Sequence, residues 1–561
     1  MEKHHLTYWQ TVWKQFLKRP LGVFALFLVC CFIIIGVYAP FLASSKPLIV
    51  YFEHQWFFPL FRYLFYPGFF SKRLDVFYNL LMFFLPCFIL CACLLKSRLK
   101  IKLKVFSLLV LSFISLFLYL IFYPPFNPDF SPQWNEYKSQ HLKNFLLQKK
   151  VTPLLVDPFF IDWNTEVNLL SPYARLNLVL RYQQSKLQYE RLKIYEEDYQ
   201  RRMESKNFSE PFFPSLWNLN YNEEKQEIAN LEDTQRLFAP QYPEAKNLIT
   251  TIQEKCVNLE KCYDFSNWSF EEKSQLEQAR SIVDQYETAQ ARLKYINDRR
   301  NWLETNFHNL KYQVMPFISF FHWEEDAGGD QTLNRLVSWI DLTRINRKDL
   351  VSALIFGIRI SLSVGLLAIG LALCIGIPVG AFSGYYGGKV DLLTYRFIEI
   401  WESMPTFFML LIVVGILQSR SIFLVILVIG LFGWTGFSRF IRGEFLRQKQ
   451  LTYVEACLAL GYSHIKIIFS HLLPNAIPPL LTLIPFAITA AITSEAGLSF
   501  LGLGEEGSNS WGVLMDEGRT AFPSESDLLW PPAILLTLLL VSIALVGDGM
   551  RDALDPKLNK V

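Results

Sequence analysis

Charge is scarce in this chain. Asp, Glu, Lys and Arg make up 19% of its 561 residues, against 52% apolar residues, and Phe alone contributes 49. That balance excludes an ordinary soluble enzyme and fits a protein that crosses a membrane several times. The net charge is only +3, and no basic stripe with interleaved aromatics occurs, so nothing points to nucleic acid. A phosphate-binding loop is missing too. Gly387-Gly388-Lys389-Val390 lacks both the G-x4-G-K-[ST] spacing and the hydroxyl. The chain is therefore not expected to bind and hydrolyse ATP alone, and it is read as neither an enzyme nor a cofactor protein. Of nine Cys, seven lie in apolar runs or the loops beside them. The other two, Cys256 and Cys262, have no His/Cys set at zinc spacing around them.

What is present is a series of long apolar runs. Residues 1–20 form a short, mildly basic start, and Leu21–Ala43 then carries no charge. That run is too long for a signal peptide and ends without a small-x-small cleavage site, so it reads as a spanning helix entering from the cytoplasm. Val50–Phe70 is aromatic but broken by Glu53, His54, Arg62 and prolines, which predicts an interfacial segment. Val76–Leu95 and Val105–Tyr123 complete three spans within 21–123. Lys96, Arg98, Lys100, Lys102 and Lys104 lie between the last two and place that loop in the cytoplasm. Lys72 and Arg73 then fall outside, against the rule, and the denser cluster decides.

Residues 124–350 contain no run able to cross a bilayer, and parity puts them outside the inner membrane. Helices are expected over Ser139–Lys150 and Leu176–Arg202. The clearest pattern is 270–310, where Leu276, Ala279, Val283, Tyr286, Leu293, Ile296 and Leu303 follow helical steps. That stripe suits a hairpin arm or packing onto its own domain. An external compartment permits a Cys256–Cys262 disulfide without requiring one.

Residues 351–547 read as five further helices. Leu350–Phe382 is rich in Gly and Ala, which lets helices approach closely in lipid. Phe397–Leu417 follows, with Arg396, Glu399 and Glu402 at three-residue steps at its head. These charges anchor the helix at the interface or touch a cytoplasmic partner. Pro405 bends this span, a possible gating element. Ile422–Phe437, Ala476–Thr493 and Leu528–Gly547 complete the set, with residues 548–561 as a cytoplasmic tail. Glu495, at the far end of the fourth, lines a translocation path or caps local structure. The count is eight spans with both termini inside.

Residues 451–474 connect two of these spans on the cytoplasmic side. Thr452–Pro474 reads TYVEACLALGYSHIKIIFSHLLP: a short helix, a turn permitted by Gly461, a second helix, and a bend at Pro474. Glu455, Ala456 and Cys457, then Gly461, then His471 and Pro474 resemble the E-A-A-x3-G-x9-I-x-L-P coupling loop of ABC importer permeases. Cys457 replaces the third member of the triplet, and His471 stands at the isoleucine position. The tail Asp548–Pro556 resembles that family's G-D-x-x-R-D-x-L-D-P terminus, and YYGGKVD with RFIEIWESMP is similar to its microcin C/oligopeptide branch. The usual G-T-D-x-x-G-R-D is reduced here to Asn346-Arg347-Lys348-Asp349.

The resemblance implies an all-α polytopic protein with a type I ABC importer permease core. Val76–Tyr123 is then an inserted pair, and 124–350 a large, mostly helical extracytoplasmic region. It also implies partners in a bacterial inner membrane: a second homologous permease, two ATPase subunits docked on the elbow, and an extracytoplasmic solute-binding protein that delivers a peptide. ATP would be used by those partners. Nickel or another small solute remains an alternative cargo. A non-transporting receptor using 124–350 is a rival, as is an ion-coupled carrier, although paired mid-membrane carboxylates are lacking.

Overall fold

The structure is a computed structural model and describes residues 8–70, 72–94, 99–151, 161–183, 186, 216–256, 268–318, 350–417, 420–505, 508–520 and 529–554. It divides into two compact units. The first comprises Met1–Ala43, Lys72–Leu118 and Ser338–Val561, the second Ser44–Ser71 and Tyr119–Val337.

The first unit holds the apolar helices. In chain order these are α1 (Tyr8–Phe16), α2 (Pro20–Val37), α3 (Arg73–Leu94), α4 (Leu99–Phe122), α5 (Leu350–Tyr386), α6 (Gly388–Glu402), α7 (Thr406–Leu417), α8 (Ile422–Lys449), α9 (Thr452–Ala459), α10 (Leu473–Leu481), α11 (Ile484–Leu498), α12 (Trp511–Thr520) and α13 (Trp530–Leu554). Among the described residues, seven helices are long and apolar enough to cross a membrane. An eighth span is counted if α6 and α7, bent by 65° across Ser403–Pro405, act as one. Helices are the expected form, because a chain in hydrocarbon must satisfy its own backbone N–H and C=O groups.

The centre of the unit is the seam between α5 and α8. Val364, Ala368 and Ala372 of α5 are buried against Ile429, Trp434, Phe437 and Ile441 of α8. Small residues set the closeness: a Cβ on Gly376 would stand 2.6 Å from the Trp434 carbonyl oxygen, and one on Gly384 would stand 2.8 Å from that of Arg442. At the periphery, α3 and α4 interlock through aromatic rings. Phe77 meets Phe113 at 5.3 Å and Phe117 at 5.6 Å, both nearly perpendicular.

The second unit is helical around a three-stranded antiparallel sheet of β1 (Ile49–Phe52), β2 (Gln55–Phe57) and β3 (Lys311–Val314), in the order β2-β1-β3. Its core joins Val50, Phe52 and Phe57 to Leu176, Val179, Leu180 and Leu303. The stretch read as an interfacial segment therefore begins as a hairpin inside this unit. Val50 and Phe52 alternate inward, and Glu53 and His54 turn the chain at positive φ (45° and 63°). The helix Phe270–Phe307 starts at a capping box between Ser269 and Glu272. It buries Leu276, Ala279, Val283, Ala289, Ile296 and Leu303 and packs on Leu216–Phe238 and Tyr242–Cys256. The stripe thus serves its own domain rather than a free arm. Tyr295 on this helix donates to Glu166 Oε2 at 2.9 Å. Burial first, and then the Glu166 carboxylate, push its phenol up to about 12. Cys262, the side chain of Cys256 and Asn346–Asp349 lie outside the described residues.

The seam predicts an asymmetry. Gly376→Leu should lower the thermal midpoint of the purified chain, with an overpacking cost of about 1–3 kcal/mol. Gly370→Ala, where the added Cβ meets open space, should leave it unchanged; differential scanning fluorimetry in detergent compares the two.

Candidate functional site

The elbow 451–474 is built on the end of α8. Glu455 occupies the first turn of α9, where a carboxylate complements the helix dipole. Val454 and Cys457, three residues apart, point inward and are buried, while Glu455, Ala456 and Leu458 face out. Gly461 closes the helix at φ 73°. Its N–H donates to Leu458 O at 3.0 Å, and the Tyr462 N–H donates to Cys457 O at 3.1 Å. An L side chain is strained there, and glycine is not.

The chain then restarts. Ser463 caps the single turn His464–Lys466, which continues as a π-helix over Ile467–Leu472 and as α10 from Leu473. Ile467, Ile468 and Leu472 are fully buried with Val454 in the core around the α5–α8 seam. Pro474, expected to end the second helix at a bend, sits in the first turn of α10, so the helical run continues through it. The wider π turn before it relieves the clash of a proline ring with the preceding carbonyls. The ring of His471 stacks on Tyr462 at 5.5 Å, with Lys466 Nζ 4.0 Å over the other ring.

One polar link that the sequence did not announce ties the elbow to the bundle, and two more brace the helix ends beside it. Tyr385, buried at the end of α5, bonds through its hydroxyl to His464 Nδ1 at 2.7 Å. Lys449 Nζ donates to Tyr385 O at 2.6 Å. Arg442 of α8 pairs with Asp391 of α6, donating from Nη2 to Oδ2 at 2.7 Å, and Ser383 Oγ donates to the same carboxylate at 2.6 Å. The adjacent tyrosines before the double glycine were the only sequence signal.

The remaining candidates lie apart from the elbow's helices. Arg396 pairs with Glu399 at 2.7 Å, whereas Glu402 turns to Arg439 on α8. Pro405 lies in the break just before α7, its carbonyl accepting from the Met409 N–H of the first turn, and Trp401 Nε1 on α6 donates to Leu431 O on α8 at 3.2 Å. Glu495 is 2% exposed. Its Oε1 accepts from Ser499 Oγ at 2.7 Å and Ser510 Oγ at 2.6 Å, which braces the π-helix Ser499–Leu503 against the segment before α12.

Residues 376–560 match the model of the binding-protein-dependent transport system inner membrane component, and residues 7–59 that of the N-terminal TM domain of oligopeptide transport permease C. A peptidoglycan transport system permease protein, YejE of Agrobacterium fabrum, is 39% identical over 230 residues, covering 40% of this chain and 58% of its own length. The oligopeptide transport system permease protein OppC of Haemophilus influenzae is 39% identical over 38% of this chain and 69% of its own. The dipeptide transport system permease protein DppC of Lactococcus lactis is 31% identical over 49% and 82%. This chain thus spans between about half and four fifths of these relatives.

Removing the Tyr385 hydroxyl tests the link from α5 to the elbow. Tyr385→Phe should weaken docking of 464–472 by about 1 kcal/mol. Hydrogen exchange should read this as faster exchange confined to those amides, with α5 unchanged.

Proposed function

This chain belongs to the binding-protein-dependent transport system inner membrane component family, and on that premise we propose that it is the membrane subunit of an ATP-driven importer for peptides or oligopeptides. The observation that carries the reading is the two-sided elbow. Its inner face is locked into the α5–α8 core, while its outer face leaves apolar side chains in water: Leu460 is 71% exposed and Ile465 63%. Leu458 and Phe469 of the same elbow are also exposed, and exposed apolar side chains grouped on one short segment suit a docking face. The occupant is a separate ATPase subunit, whose motion reaches α5 and α8 through the buried inner face and the Tyr385–His464 bond.

The rest of the assembly follows from the same premise. A second, related permease closes the pathway, a second ATPase sits beneath it, and an extracytoplasmic solute-binding protein delivers cargo. The elbow and both termini face the cytoplasm, in keeping with the basic cluster Lys96–Lys104. Residues 124–350 lie outside the membrane. Peptide cargo is favoured over nickel because the relatives are named for oligopeptide and dipeptide transport.

Gly461→Asp separates docking from folding. Among the described residues, apart from its two chain neighbours, no atom lies within 4 Å of where a Cβ would stand there, and Asp tolerates positive φ better than most residues. In vesicles reconstituted with the ATPase and binding protein, the variant should keep cargo delivery and lose ATP-driven peptide uptake. Uptake at the wild-type rate overturns the assignment.

A further inference from the structure

Arg359 lies on α5, inside the apolar bundle, with its side chain 1% exposed. A guanidinium at such a place is costly unless every donor is met and the charge is balanced. Here the charge is balanced, and each of the three guanidinium nitrogens finds an acceptor. Nη1 donates to Asp75 Oδ1 at 2.8 Å and Nη2 to Asn79 Oδ1 at 2.9 Å. Nε donates to Gly36 O at 2.7 Å, and Nη2 also reaches Val37 O at 3.3 Å. Those two carbonyls belong to the last turn of α2, where a helix has no intrahelical donors left and carries partial negative charge. One turn along α5 from Arg359, Ser363 Oγ donates to Tyr78 OH at 3.1 Å.

Asp75, Tyr78, Asn79 and Met82 stand three, four and seven residues from the first, on one face of α3, and all four are buried. Phe77 and Phe84 point elsewhere, onto Phe113 of α4. The helix α3 is therefore two-sided, with a polar face fitted to α2 and α5 and an aromatic face covered by α4. The family models end at residue 59 and resume at 376, so neither includes Asp75, Asn79 or Arg359.

We infer that Asp75 and Asn79 are positioning residues for Arg359, and that α3 is thereby an integral helix of the bundle that supplies the counter-charge seating α5 on the end of α2. The inserted pair is not an appendage that can be removed. This inference does not use the transport reading, so either can fail alone.

The test uses the full chain expressed in membranes, read by the monodisperse yield after mild detergent extraction and by the thermal midpoint. D75N removes the counter-charge at constant shape and should cut the folded yield several-fold. D75N/N79D moves the carboxylate one turn along the same face. It should restore yield and midpoint to near wild type, a rescue that packing alone does not give. R359M/D75L removes both charges and should fold better than either single variant. Recovery in either compensating variant supports the inference. A wild-type yield and midpoint for D75N overturns it, and so does a D75N-like loss in both compensating variants.

Discussion

Water is absent from the middle of a bilayer, and that constraint orders the membrane unit. Each polar group placed there needs a partner within the chain. Arg359 finds four acceptors on two other helices, and Glu495 takes two serine hydroxyls at one of its carboxylate oxygens, the other being buried without a partner among the described residues. The backbone solves the same problem by staying helical over most of its length, with a break at Ser403–Pro405 and a kink at Gly502, whose φ is 78°. Where apolar surface alone holds helices together, small residues bring them close. The α5–α8 seam is the clearest case, and it forms the frame on which the elbow hangs.

The elbow's shape follows from that frame. Its inward side chains, Val454, Cys457, Ile467, Ile468 and Leu472, extend the same core toward the membrane surface. Its polar link runs from His464 to Tyr385, the penultimate residue of α5, whose carbonyl also accepts from Lys449 at the end of α8. The elbow is therefore joined to the two central helices by buried side chains and a hydrogen bond rather than hanging as a loose loop. Gly461 adds the turn that lets α9 and the π-helix fold back on each other while leaving its own surroundings open for a partner.

The second unit obeys the physics of water. It has a capped amphipathic helix, a small sheet, ion pairs at its surface such as Arg175–Glu53, and a core of aromatic and branched side chains. Its chain is interrupted: Ser44–Ser71 joins the unit from one side of α3 and α4, and Tyr119–Val337 from the other.

The sequence by itself determined the apolar spans, the broken helix at Pro405, the elbow and its Gly461 turn, and the buried stripe of Phe270–Phe307. Each is a local pattern: a run without charge, a proline, a helical period, a glycine at the end of a helix. Tertiary structure alone decided that Asp75 at the head of α3 is the partner of Arg359, and that Tyr385 reaches His464. It also decided that β1 pairs with β3. It turned Pro474 from a helix end into the first turn of α10. The physical reason is separation along the chain. Asp75 and Arg359 are 284 residues apart, and no period or propensity near either one encodes what the other will meet.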